Sequence, residues 1–168
     1  MGSLAYLQSV QIRNNSLSGI FPTTLKENSK LIMLDLGENN LSRTIPLWIG
    51  KRFKNMKLLC IRSNKFSGYI PNKICGMSHL QVLYLAHNNL SGGIPNCLNQ
   101  LNAMILMNKR LVTSIDLSNK KLSGEIPRKI TNLNGLTFLN LSHNQLIGHI
   151  PQRIGNMRSL LSIDFSRN

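Results

Sequence analysis

Residues 80–95 read LQVLYLAHNNLSGGIP, and this stretch decides the fold. Leucine occupies its first, fourth and sixth positions and asparagine its ninth, which gives the pattern Leu-x-x-Leu-x-Leu-x-x-Asn. The Leu-x-Leu step has the period of two that places alternate side chains on opposite faces of a β-strand. Glycine and proline follow, and both favour a change of chain direction. The stretch therefore predicts a short, half-buried strand that ends in a turn.

The same pattern recurs along the whole chain. Every proline follows Ile or Phe, and a glycine stands three residues before five of the six prolines, Arg43 being the exception. Four of the five spacings between prolines are 24 or 25 residues, and the prolines are Pro22, Pro46, Pro71, Pro95, Pro127 and Pro151. A fixed period of this length indicates a repeat architecture. We count six proline-bearing repeats and the start of a seventh, which ends at Asn168.

One repeat cannot bury its own leucines, so the repeats must stack with their strands parallel. Parallel crossovers are right-handed, and an inward asparagine can both donate to and accept from the backbone of the turn. The sequence thus predicts an α/β fold class: a right-handed solenoid with a concave parallel β-sheet and irregular, 3-10 or helical convex turns. The predicted ladder of inward asparagines is Asn15, Asn39, Asn64, Asn88, Asn144 and Asn168.

The composition excludes several classes of protein. The chain has 168 residues, of which 28 are Leu and 21 are Asn, and no apolar run approaches the roughly 20 residues of a membrane-spanning helix. No signal-peptide pattern opens the sequence. An aromatic content of 5% argues against nucleic-acid binding by base stacking. A net charge of +14 favours acidic partners, such as an acidic glycan. Repeat periodicity accounts for the histidines and aspartates, so we predict no enzyme activity, no metal site and no cofactor.

Residues 88–95, which read NNLSGGIP, resemble the plant leucine-rich repeat, whose mark is Gly-x-Ile-Pro after Asn-x-Leu-Ser. The resemblance covers essentially the whole chain, so residues 1–168 are expected to form a single leucine-rich-repeat domain. It implies short second strands near the Gly-x-Ile-Pro segment and an extended, twisted horseshoe. The most similar proteins in kind are the extracellular domains of plant receptor-like proteins and receptor kinases.

The chain departs from its own pattern in a few places. Eight extra residues precede Pro127, and the irregular segment is about 103–111. It is either a shortened form of the island that receptor-like proteins carry or a long convex loop. Counting back from the next strand places Val112 at a buried leucine position. Lys120 stands where the ladder requires asparagine, which predicts an interrupted rung. The resemblance also implies terminal caps, which residues 1–168 lack, so we expect a fragment or a truncated gene product.

Residues between and just after the strand leucines are predicted to face the concave surface. Together they form a mixed polar set with one aromatic side chain, which suits a peptide or a sugar. The alternative is an ordinary solvated sheet face. The candidate ligand-binding residues are Arg13, Asp35, Glu38, Arg62, Tyr84, His87, Asp116 and His143.

Glycosylation sequons and cysteines are informative about the cellular compartment of the protein. Four Asn-x-Ser sequons are candidates for N-glycosylation, although repeats that end in Leu-Ser generate such matches automatically: Asn14, Asn40, Asn89 and Asn140. Cys75 and Cys97 fall on the convex turns of adjacent repeats, where a disulfide is sterically allowed. Cys60 lies within a strand and is expected to be a free thiol.

The first functional hypothesis is a non-enzymatic recognition module, part of a plant receptor-like protein ectodomain. It would bind a peptide or glycan on its concave face in defence or developmental signalling. By resemblance, signals would pass to a co-receptor kinase, and the parent protein would lie at the extracellular face of the plasma membrane or in the cell wall. One alternative is an inhibitor like the polygalacturonase-inhibiting proteins. Another is an intracellular protein-interaction scaffold, which the missing signal peptide allows.

Overall fold

The computed structural model describes residues 6–106, 111–118 and 121–168. Each coil contains a three-residue strand, and the first six coils add a second short strand and a helical turn. The strands are β1 (Ser9–Gln11), β2 (Ser18–Gly19), β3 (Met33–Asp35), β4 (Asn40–Thr44), β5 (Leu58–Cys60), β6 (Lys65–Tyr69), β7 (Val82–Tyr84), β8 (Asn89–Ser91), β9 (Ser114–Asp116), β10 (Ser123–Glu125), β11 (Phe138–Asn140), β12 (Gln145–Ile147) and β13 (Ser162–Asp164). Coil 1 contains β1 and β2, coil 2 contains β3 and β4, and so on to coil 7, which contains β13.

The odd-numbered strands form one seven-stranded parallel sheet in the order β1-β3-β5-β7-β9-β11-β13. Their central residues lie in register and point into the core, so that Leu34, Leu59, Leu83 and Ile115 are fully buried. The flanking residues of each strand point the other way. We call this outer face of the seven-stranded sheet the concave face. The predicted solenoid with a parallel sheet is confirmed.

The even-numbered strands form a second, lateral sheet, which also follows the expectation. It consists of a four-stranded part, β2-β4-β6-β8, and a two-stranded part, β10-β12. Among the described residues, an isolated bridge from Gly92 to Leu122 joins the two parts. This junction lies between coils 4 and 5, which is also where the eight extra residues occur.

Short helices bring the chain back along the convex side. The α-helices are α1 (Ile49–Arg52) and α2 (Asn102–Ile105), and the 3-10 helices are Thr23–Glu27, Asn72–Gly76, Asn96–Gln100, Arg128–Asn132 and Gln152–Asn156. A proline precedes each of these 3-10 helices, since its fixed φ suits entry into a helix and its missing N–H removes an unpaired donor. No helix among the described residues is long and apolar enough to cross a membrane.

Adjacent coils approach one another so closely that some positions admit only glycine. Gly50 in α1 is buried, and a Cβ added there would overlap the backbone carbonyl of Lys73 in the next coil. A disulfide joins the convex turns of the following pair of coils, because Cys75 and Cys97 are bonded with their Cα atoms 5.8 Å apart. The helical side of the stack is thus held by close backbone contact and by one covalent link.

The asparagine ladder links coils 2, 3, 4, 6 and 7 to the coils that precede them. Asn64 donates through Nδ2 to the carbonyls of Leu36 (2.9 Å), Ile61 (3.1 Å) and Arg62 (3.2 Å), and its Oδ1 accepts from the N–H of Leu41 (2.9 Å). The same pattern holds for the three other buried members of the ladder, Asn39, Asn88 and Asn144. Asn15 and Asn168 are exposed at the two ends of the described stack.

The irregular segment differs in part from the expectation. Met104 is buried, as a regular leucine position would be, whereas Val112 is 64% exposed, so its assignment to a buried position is wrong. Thr113 turns inward instead, because its hydroxyl donates to the carbonyl of Gly135 and accepts from the N–H of Thr137. Residues 107–110, Asn119 and Lys120 lie outside the described residues, so the interrupted rung at Lys120 stays a prediction.

Candidate functional site

The concave face carries three columns of side chains that run across the sheet. The first column is formed by the last residue of each strand, in register from one coil to the next: Gln11, Asp35, Cys60, Tyr84, Asp116, Asn140 and Asp164. Neighbouring members lie about 4.8 Å apart, which is the spacing of strands in a sheet. The fold therefore aligns three of the predicted ligand-binding residues, Asp35, Tyr84 and Asp116, in one column.

The second and third columns follow the strands. The second contains Arg13, Gly37, Arg62 and Ala86, and the third contains Glu38, His87 and His143. Residues of the third column adopt the left-handed conformation, with φ between 53° and 56°: Asn14, Glu38, Ser63, His87, His143 and Arg167. Most side chains disfavour this conformation relative to glycine. The chain therefore presents the third-column side chains at some conformational cost.

Arg13 and Glu38 form an ion pair across coils 1 and 2. The Nη2 of Arg13 lies 2.6 Å from Oε1 of Glu38, and both side chains are partly exposed. The hydrogen bond from Arg13 lowers the pKa of Glu38 below its ordinary value, and the same bond raises the pKa of Arg13. This pair occupies one end of the concave face, and each charge neutralises the other.

Arg62 lacks such a partner. Its Nε is buried and makes no hydrogen bond to any described residue, and no carboxylate among them lies within ion-pair distance. The side chain lies between Gly37 and Ala86 in the second column, and its Cγ packs so close to Gly37 that a Cβ added there would lie 3.4 Å from it. A buried donor without an acceptor is rare in folded proteins and requires an explanation.

The two predicted aspartates also have a structural role that the sequence analysis missed. Oδ1 of Asp35 accepts from the N–H of Gly37 at 2.9 Å, and Oδ1 of Asp116 accepts from both the N–H and the hydroxyl of Ser118. Asn140 makes the same pair of bonds to Ser142. Such side-chain-to-backbone bonds stabilise turns. The signal was present in coils 2, 5, 6 and 7 as Asp/Asn-x-Gly/Ser, in which the Asp or Asn stands between the two strand apolar residues.

Tyr84 and His87 lie next to this region on coil 4. Tyr84 is partly buried and His87 is exposed. Cys60 lies between Asp35 and Tyr84 in the first column and is 3% exposed, and burial raises the pKa of its thiol to about 11. The thiol therefore stays protonated at neutral pH, so the concave face has a weakly polar group at this position rather than a negative charge.

His143 lies farther along the face and contacts the last coil. Its Nε2 lies 3.1 Å from Nη1 of Arg167, and its Nδ1 lies 3.2 Å from the hydroxyl of Ser142. Arginine can only donate, so Nε2 accepts and the proton of this imidazole lies on Nδ1. Asp116, on coil 5, lies between His143 on coil 6 and Tyr84 on coil 4, so the predicted residues extend across coils 1 to 6.

The four sequons occupy different environments. Asn40 and Asn89 are exposed at the start of lateral strands, and Asn14 is exposed in a left-handed turn. Asn140 lies within the seven-stranded sheet, its Oδ1 is bonded to Ser142, and Ser142 itself is 2% exposed. The lateral positions thus have the most open surroundings.

The chemistry of the site is that of a surface rather than a pocket. Across residues 6–106, 111–118 and 121–168, no group of three His, Cys, Asp or Glu side chains could hold a metal ion. Two cavities of about 640 and 610 Å³ lie between coils 5 and 6 and between coils 4 and 5. Both are lined by lateral-strand and convex-turn residues, outside the concave face. An open surface of this kind suits an extended or macromolecular ligand.

Comparison with known proteins identifies the repeat. Two family models described as leucine-rich repeat match this chain, one over residues 5–51 and the other over residues 79–101 and 135–157. The repeat ectodomain of the receptor kinase SOBIR1 from Arabidopsis thaliana is 32% identical, with 84% of this chain and 72% of that chain covered and a TM-score of 0.71. The chain belongs to the leucine-rich repeat family. A comparison with proteins of curated function finds no match.

Other solved leucine-rich repeat ectodomains are similar over most of the chain. That of the plant membrane receptor kinase GASSHO1/SCHENGEN3 from Arabidopsis thaliana, in complex with CASPARIAN STRIP INTEGRITY FACTOR 2, is 34% identical with a TM-score of 0.85. The alignment covers 96% of this chain and 18% of that one. The plant peptide hormone receptor RGFR1, in complex with RGF2, is 30% identical with a TM-score of 0.61, over 98% of this chain and 33% of that one. This leucine-rich repeat chain thus spans a fifth to a third of the length of these two receptors.

Proposed function

We propose that the chain is a non-enzymatic ligand-binding module and that it binds a peptide segment on its concave face. Two of the similar receptors were solved with bound partners, and one of these two is a peptide hormone receptor, which supports the ligand class. In this proposal the module is part of an extracellular receptor-like protein at the plant plasma membrane, and it signals through a co-receptor kinase in defence or development. Asn14, Asn40 and Asn89 are candidate glycan positions of that protein.

The observation that carries the proposal is the unpaired Arg62. Other charged concave side chains are bonded within the chain: Arg13 pairs with Glu38, and Asp35 accepts from the backbone of its own turn. The guanidinium of Arg62 offers planar donors, and these are well suited to backbone carbonyls or carboxylates of a ligand. Tyr84 and His87 on the next coil supply an aromatic surface and a further polar group. This combination is typical of a binding hot spot.

A selection experiment tests the proposed function. Peptides would be enriched from a random-peptide display library on the purified 168-residue chain, and their binding would be measured by fluorescence polarisation. We expect the double variant Arg62→Ala/Tyr84→Ala to lose at least tenfold in affinity, since two anchors are removed. The matched control is Lys51→Ala/Lys73→Ala on the convex side, which should bind as the unmodified chain does. Unchanged binding to the first variant, or equal loss in both, would contradict the proposal.

A second candidate ligand is an acidic glycan, and the cavity between coils 5 and 6 favours it. Arg128, Lys129 and Arg153 line this cavity, where Glu125 is the single carboxylate among its lining residues. Such a cluster attracts polyanions over long range, in a salt-dependent way. Binding of oligogalacturonate at low salt, and its loss in a triple Gln variant of the three cations, would support this second ligand. Equal binding of a neutral glucan would exclude it.

A further inference from the structure

Tyr69 is an exposed aromatic residue that the concave-face proposal does not use. It ends strand β6 on the lateral sheet and is 74% exposed. Its ring lies directly over Gly92 of the next coil, where a Cβ would overlap ring atoms Cδ1 and Cε1. The glycine therefore gives the ring a flat support, while most of the aromatic surface faces solvent. An exposed and supported aromatic ring is a favourable contact surface for a partner with apolar C–H groups.

A sequon lies beside this ring on the same face of the lateral sheet. In the β6–β8 pairing, Ser67 lies opposite Asn89 and Tyr69 lies opposite Ser91. Side chains two residues apart point to the same side of a strand, so Asn89, Ser91, Ser67 and Tyr69 all face outward. Asn89 and Tyr69 are diagonal neighbours, a relation within reach of aromatic and long side chains. Leu90, between the two sequon positions, is buried, which fixes the outward direction of Asn89.

We propose that Asn89 carries an N-linked glycan whose first sugars stack on Tyr69. The glycan would extend from Asn89 along β8, over Ser91, and place its C–H face on the ring that Gly92 supports. The proposal depends on the secretory location that accompanies the proposed function, but not on any ligand of the concave face. The group that contacts Tyr69 would be the N-acetylglucosamine-based core of a glycan attached to this same chain.

The chain supplies its own matched control. Asn40 begins β4 in the same register, because Ser18 lies opposite Asn40 as Ser67 lies opposite Asn89. Ile20 follows Ser18 by two residues, as Tyr69 follows Ser67, and it is 56% exposed. Both sequons are therefore exposed, are in β-strands and have an equivalent diagonal neighbour. They differ in that diagonal neighbour, which is the aromatic Tyr69 for Asn89 and the aliphatic Ile20 for Asn40.

The test is a pair of double-variant cycles on the full chain secreted from a eukaryotic host. Site occupancy is mapped by mass spectrometry, and the glycans are trimmed to one N-acetylglucosamine. We expect Asn89→Gln to lower the Tm by about 2–4 °C, a shift that matches one aromatic contact in a protein of this size. In the Tyr69→Ala background the same change should shift the Tm by less than about 1 °C. The cycle of Asn40→Gln with Ile20→Ala should show no such coupling.

Two further measurements complete the test. In protein from a bacterial host, which adds no such glycan, Asn89→Gln should leave the Tm unchanged. In the secreted chain, the N-acetyl methyl proton signal of the Asn89 sugar should be shifted upfield by the ring and should stay shifted in Tyr69→Phe. An unoccupied Asn89, an unshifted methyl signal, or equal Tm losses with and without Tyr69 would overturn the proposal. None of these outcomes affects peptide binding on the concave face, so the two proposals fail separately.

Discussion

At the scale of single residues, buried side-chain amides matter most for the stability of the fold, and unpaired charges matter most for the proposed ligand binding. A buried ladder asparagine satisfies backbone groups of two coils at once, as the bonds of Asn64 to Leu36 and to Ile61 show. Alanine at such a position removes the donors and the acceptor and leaves buried backbone groups without partners. Unsatisfied buried groups are more costly than the loss of an exposed hydrogen bond.

Asn64→Ala should therefore destabilise the protein strongly. We expect the free energy of unfolding to fall by about 3 kcal/mol, because the N–H of Leu41 loses the acceptor Oδ1 and three carbonyls lose a donor. Chemical denaturation measures the change. Asn15→Ala is the matched control: this ladder residue is exposed and should change the stability by less than about 1 kcal/mol. Similar losses at both positions would contradict the role of burial.

The Arg13–Glu38 pair gives a prediction about titration. The lowered pKa of Glu38 means that the pair contributes stability above the ordinary carboxyl pKa of 4.5 and loses it as the pH falls through the lowered value. Arg13→Ala should raise the pKa of Glu38 toward its ordinary value, measured by NMR titration of the side-chain carboxyl carbon. Arg52→Ala, on the convex side, should leave this pKa unchanged. If the pKa of Glu38 is the same with and without Arg13, the ion pair is not the cause of the lowered pKa.

At the scale of elements, the spacing of coils on the convex side depends on glycine. Gly50 of α1 lies against the Lys73 carbonyl, so even a methyl group requires the two coils to move apart. Gly155, in the 3-10 helix Gln152–Asn156, has open space around its Cβ position. The two glycines have the same chemistry and differ in what the neighbouring coil places against them.

Gly50→Ala should lower the free energy of unfolding by about 3 kcal/mol, since it overpacks backbone against backbone. Gly155→Ala should leave it unchanged to within about 0.5 kcal/mol or raise it slightly, because alanine reduces the freedom of the unfolded chain. Both values come from denaturant titration with circular dichroism. Equal effects would show that coil spacing does not depend on Gly50.

The elements were predictable from the sequence because their signals are periodic. Leucines at a step of two gave the strands, and prolines at a step of 24 or 25 placed the convex turns. Val112 was misassigned because a count of apolar positions ignores hydrogen bonding, and Thr113 gains partners by turning inward. The concave columns followed from register, whereas the unpaired Nε of Arg62 and the turn bonds of Asp35 depend on side-chain geometry that no spacing reveals.

At the scale of the whole molecule, stability depends on contacts between neighbouring coils. The disulfide between Cys75 and Cys97 adds a covalent link between coils 3 and 4, across 22 residues of sequence. A link of that span removes freedom from the unfolded chain. It lies one coil away from the junction where the Gly92–Leu122 bridge joins the two parts of the lateral sheet.

Reduction of this disulfide should lower the free energy of unfolding by about 3 kcal/mol. Denaturation with and without a reductant measures the effect, and Cys75→Ala/Cys97→Ala should be less stable and insensitive to the reductant. Cys60→Ser serves as a control for the remaining thiol and should keep the full reductant response. If the unmodified chain unfolds at the same denaturant concentration in both conditions, the link contributes nothing to its stability.

The left-handed residue that follows the concave strand in coils 1 to 4, 6 and 7 has an evolutionary consequence. Its side chain faces a potential ligand, yet the ladder bonds next to it are made by the following asparagine, as with His87 and Asn88. A mutation at this residue alters what the surface recognises while the architecture beneath it is preserved, and a change to glycine even relieves strain. Such a scaffold can acquire a new specificity through single changes, one coil at a time.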